Sequence, residues 1–101
     1  MVDTMKIGAT TYEVLPQTGF VLNDRGDALF GQQSYRSLEV RYTTDPPIQV
    51  QLKTLLHEAV HGMSDEYVWG IDETMAERIA NGVYAFIRDN RELVTDILEN
   101  G

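Results

Sequence analysis

The sequence predicts a small α+β fold, with strands and turns in the first half and helices in the second, and two observations predict it. Residues 5–43 hold runs rich in Thr, Tyr, Val and Ile that are cut by Gly, Asn and Asp, the composition of short strands joined by turns. Beyond Asp45-Pro46-Pro47, apolar residues recur every three or four positions through three segments, about 48–64, 72–88 and 91–99, as one face of a helix requires. A chain of 101 residues falls within the size of one domain, so residues 1–101 are read as a single unit.

The first strand run is residues 5–15, with Gly8 as a turn or bulge and Pro16 as its end. Asn23-Asp24-Arg25-Gly26 is a turn, because Asn, Asp and Gly accept the backbone angles that turns demand. A hairpin follows, with Phe30 to Tyr35 and Leu38 to Thr43 flanking Arg36-Ser37. Its second arm alternates Leu38, Val40 and Tyr42 against Glu39, Arg41 and Thr43, which gives that arm one wet face.

Either Asp45 or the two prolines open the first helix. At about 100° per residue, Leu52, Leu55, Leu56, Ala59, Val60 and Met63 share one arc, while Thr54, His57, Glu58, His61 and Asp65 share the opposite one. Trp69 and Gly70 lie in the connecting loop, where Trp69 is expected to plug the core or, failing that, to wall a pocket. Asp72 is the expected N-cap of the second helix, whose apolar stripe is Met75, Ile79, Val83 and Phe86. Asp89 or Asn90 starts the last helix, with Leu93, Val94, Ile97 and Leu98 inward, and Met63, Met75 and Phe86 are assigned to the core.

Composition narrows the function. With 43% hydrophobic and 24% charged residues the chain has the make-up of an ordered globular protein. Eight basic against 16 acidic residues leave a net charge of -8, which repels a phosphate backbone and argues against nucleic-acid binding. No stretch approaches the roughly 20 apolar residues that span a bilayer, and no basic segment followed by an apolar run opens the chain, so a cytoplasmic protein without a membrane partner is expected. Cysteine is absent, which leaves His, Asp and Glu as the strong metal ligands.

The chemistry concentrates in Thr54-Leu55-Leu56-His57-Glu58-Ala59-Val60-His61, which contains the pattern H-E-x-x-H on the polar arc of the first helix. Residues four apart stack on one helix face, so two imidazoles reach a single ion while the glutamate after the first projects beside them. A catalytic zinc takes three protein ligands and keeps one position for water, whose pKa falls to about 7, and Glu58 is the expected general base. His57 and His61 are the only histidines, and both lie opposite the apolar arc, where core histidines would not.

The third ligand comes from elsewhere. The extended three-histidine pattern fails, because its later positions are Ser64 and Tyr67. Glu73 and Glu77, four apart on the second helix, are the candidates. Glu73 is preferred as ligand, since the first turn of a helix welcomes an acid, with Glu77 orienting a histidine; the reverse stays open. Asp65 is a weaker rival, because three ligands from one straight helix converge poorly on a tetrahedral ion. Tyr84 and Tyr67 are candidates to hydrogen-bond the oxyanion formed when water attacks a carbonyl, Tyr84 by sharing a helix face with Glu73 and Glu77.

The stretches TLLHEAVHGM and ETMAERIANGVYAFIRDN resemble the small zincin-like metallopeptidases of bacterial prophages and mobile elements, related to the ImmA/IrrE group. The resemblance covers about residues 30–98. It implies zinc bound by His57, His61 and Glu73, Glu58 as the base, and Glu77 as the outer partner. It also implies an antiparallel sheet packed on the active-site helix, with residues 30–43 supplying an edge that aligns an extended peptide. The expected function is zinc-dependent hydrolysis of peptide bonds in a protein or peptide substrate. The alternative is a zincin-like metal-binding module with little activity that acts on a prophage regulator.

Overall fold

In the computed structural model, which describes residues 2–101, the chain forms a four-stranded sheet, a small two-stranded hairpin and three helices. The α+β layout follows the sequence expectation, and the strand details refine it. The first apolar run is two strands, β1 (Thr4–Ile7) and β2 (Thr10–Gln17), folded back on each other at Gly8, whose φ of +59° a glycine adopts without steric cost. Pro16 does not end β2. The Val14 N–H donates to Asp3 on the β1 side, and two residues on, where β1 has run out, Pro16 needs no N–H.

The Asn23–Gly26 turn forms as expected, with the Asn23 side-chain oxygen accepting from the N–H groups of Arg25 and Asp27. It joins β3 (Val21–Leu22) to β4 (Ala28–Leu29). The later hairpin also forms, as β5 (Gly31–Ser34) antiparallel to β6 (Glu39–Thr43). The sheet order is β1-β2-β6-β5, and β2 pairs with β6 in parallel, so the sheet is mixed rather than antiparallel throughout. That crossover encloses β6 and leaves β5 as an edge. The expected wet face is lost at its end, where β3 packs on β6 and Thr43 is buried along with Val40 and Tyr42.

Helix α1 (Ile48–Tyr67) starts at Pro47 and runs one turn past the expected end, helix α2 (Glu73–Asp89) is capped by Asp72, and α3 (Arg91–Asn100) closes the chain. The apolar arc of α1 divides between two cores. Leu55 and Ala59, with Met63 beside them, pack on Ile7, Tyr12, Val14, Val40 and Tyr42 of the sheet. Val60 meets Ala76 and Ala80 of α2, with Leu56, Ile71 and Ile79 around them. Burying a side chain such as Val60 stabilises the fold by about 2 kcal/mol.

Two small alanines, with Ile79 of the expected stripe beside them, make the α2 seam. Met75, Val83 and Phe86, assigned to the core from sequence, are 44%, 39% and 52% exposed. Leu93, Ile97 and Leu98 of α3 also face outward, with only Val94 partly covered, because α3 packs on α2 alone among the principal element contacts. Trp69 is neither plug nor pocket wall. It lies half-exposed against Tyr67, ring centres 5.8 Å apart.

Candidate metal centre

Helix α1 carries His57, Glu58 and His61, and α2 packs on it through Val60 so that the first residue of α2, Glu73, reaches the two histidines. The capping bond from the Met75 N–H to the Asp72 carboxylate, 2.8 Å, fixes that first turn. His57 Nε2 and His61 Nε2 lie 3.1 Å apart. One Glu73 oxygen is 2.5 Å from His57 Nε2 and the other 2.9 Å from His61 Nε2.

These three side chains are grouped as a metal site would need. Their ligand atoms all lie within 4.8 Å of one another. Tetrahedral bonds of about 2.0–2.1 Å to two imidazoles bring the nitrogens to roughly 3.3 Å, close to the spacing found. Two imidazole nitrogens and a carboxylate form a donor set suited to a borderline ion such as zinc. The structure therefore brings together His57, His61 and Glu73 as the sequence anticipates.

Glu58 is 8% exposed, the deepest acid in the protein, and its carboxylate accepts from the Gln33 backbone N–H at 2.8 Å. Burial pushes its carboxyl up to about 7, a rise opposed by the positive charge of His61 and by the Gln33 N–H and assisted by Glu73. Gln33 is itself held, its side-chain amide donating to Asp65 at 2.9 Å and to the Tyr12 hydroxyl at 3.1 Å. Asp65 is thus no ligand; it anchors the strand residue that anchors Glu58. Burial also raises the Tyr12 phenol, and the Gln33 amide opposes that rise.

Gly31 allows β5 to approach α1 this closely. A Cβ there would stand 2.6 Å from the Thr54 methyl, 3.0 Å from the Arg41 carbonyl oxygen and 3.4 Å from Glu58 Cγ. A cleft of about 310 Å³ opens beside His57 and Glu73, lined on the α1 side by Val50, Lys53, Thr54, His57 and Glu58. Leu29, Phe30 and Gly31 form one wall, and Glu73, Glu77 and Asn81 of α2 the other.

Glu77 therefore lines the cleft, but it forms no hydrogen bond to either imidazole among the described residues, so the outer-partner role expected of it has no contact behind it. Tyr84 is not in the cleft. It shares a helical face with Glu73, yet 11 residues at about 1.5 Å each carry it some 16 Å down the axis. There its ring lies between Lys53 and Arg88, 5.4 and 5.7 Å from its centre, and Arg88 donates to its hydroxyl at 3.4 Å. Tyr67 stands with Trp69 on the surface. Contrary to the sequence expectation, neither tyrosine lines the cleft where an oxyanion would form.

Sequence reasoning missed Gln33, Gly31, Lys53 and Asn81. Lys53 was legible, since it precedes His57 by four positions on the same helix. Gln33 was not, because its role depends on how β5 lies across α1. No family model, curated protein or solved structure matches the chain, so the site stands on its own geometry.

Proposed function

We propose that the chain is a zinc-dependent metallopeptidase, a minimal zincin of the prophage and mobile-element type. One observation supports this reading above all: two imidazoles and a carboxylate from separate helices converge, with the buried Glu58 carboxylate on the adjoining residue. His57, His61 and Glu73 are the ligands. A zinc ion bound there supplies Lewis acidity, polarising a substrate carbonyl and lowering the pKa of water to about 7.

Glu58 is the general base, taking the proton of the attacking water and returning it to the leaving amine. The Gln33 N–H holds its carboxylate in place beside the two imidazoles. The free side of β5 offers backbone groups to an extended peptide lying in the cleft.

Elemental analysis of the purified protein should find close to one zinc per chain. Glu58→Gln should keep that zinc while peptide hydrolysis falls by about 100-fold or more. His57→Ala should lose both. Zinc retained by the wild-type chain without hydrolysis of any peptide would favour the metal-binding module instead, and absence of metal would remove both readings.

A further inference from the structure

The cleft continues past Phe30 and Val50, which it shares with a second recess at the N-terminal end of α1. This notch, about 390 Å³, lies between Phe20, Phe30, Pro46, Pro47 and Val50. Its volume is within the range that binds small ligands, about 300–1,000 Å³. Its two aromatic rings stack at 6.0 Å, and the two residues remain 57% and 50% exposed beside the site. Exposed apolar surface next to a reaction centre marks a place where something apolar binds.

The walls are built in advance. The Asp45 carboxylate accepts from the Gly19 N–H at 3.0 Å, and the Gln17 amide donates to the Phe20 carbonyl at 2.9 Å. The Gln51 amide donates to the carbonyls of Thr44 and Pro46, which secures the proline segment to α1. A preformed recess costs a ligand little ordering.

Distance gives the notch its place on a substrate. Val50 and His57 are seven residues apart on α1, about 10 Å along the axis at 1.5 Å per residue. An extended peptide covers that span in about three residues at roughly 3.3 Å each. We propose that the notch is a substrate subsite for a large apolar side chain, aromatic by preference, about three residues from the scissile bond. This rests on the metallopeptidase reading. Asp45 at the rim adds discrimination, because an acidic side chain would meet a like charge there.

The test is a set of capped octapeptides of Ala, Gly and Ser in which one Phe is walked through every position, digested by the zinc-loaded chain and read by mass spectrometry. The expected result is at least about tenfold higher kcat/KM with Phe than with Ser at one fixed distance, two to four residues from the cut, and less with Asp. Phe20→Ser, a change at an exposed residue, should reduce that preference to less than about threefold. A second arm needs no hydrolysis. Zinc-loaded Glu58→Gln is titrated with N-acetylphenylalanine amide and N-acetylserine amide, and NMR follows the Val50 methyls and the Phe30 ring. Saturating shifts with the phenylalanine probe alone support the notch. Cleavage with no positional preference, or signals that ignore both probes, would overturn it. Shifts without any cleavage by the wild-type chain would keep the notch and sink the hydrolytic reading.

Discussion

Glu58 is pulled between burial, which favours its protonated form, and the Gln33 N–H and His61, which favour the carboxylate. Burial wins, and the carboxyl rises from 4.5 to about 7 in the metal-free protein. The folded chain therefore holds this proton more tightly than the unfolded chain. Stability from protonated Glu58 is fully present below about pH 4.5 and is lost as pH rises through about 7, a change of about 3 kcal/mol. Urea unfolding in chelator at pH 4.5 and pH 8 should show this loss, and Glu58→Gln should remove most of it. An equal slope in the variant would mean that other groups carry it. The proposal of Glu58 as general base is legible in H-E-x-x-H, whereas its strand anchor is not, because Gln33 stands 25 residues away on another element.

Individual elements follow their local signals closely. Asp72 caps α2, the Asn23 turn closes, and the three helices start within one residue of the expected positions. Local signals fail where neighbours decide. The stripe Met75, Val83 and Phe86 has the period of a buried face, yet Ala76 and Ala80 take the seam because two helices approach closest where side chains are small. Helix α3 has an amphipathic pattern and no buried residue. Its stability then comes mainly from its own backbone hydrogen bonds, which a helix of 10 residues sustains poorly. Amides of residues 94–100 should exchange with solvent far faster than those of residues 55–64 in a native-state hydrogen-exchange experiment. Equal protection of both segments would show that α3 is covered in solution.

Across the whole molecule, the proposed metal site would tie α1 to α2, since His57 and His61 stand on one and Glu73 on the other. An ion bound only to the folded chain stabilises it by about 2.7 kcal/mol when its free concentration is 100 times Kd. Removing zinc with a chelator should lower Tm by roughly 10 °C for a domain of this size, and added zinc should restore it. The same Tm with and without metal would contradict a shared site, and His61→Ala should no longer respond. The sequence by itself determined the succession of strands and helices, the cap of α2, and the pairing of His57 and His61 on one face, because helical and strand periods arise from backbone geometry within a few residues. Only the tertiary structure decided that β2 lies parallel to β6, that Gln33 holds Glu58, and that Tyr84 stands away from the cleft. It also placed Glu73 rather than Glu77 against the imidazoles. These depend on how separate elements pass one another and on rise along a helix as well as rotation, and a periodicity reports rotation alone.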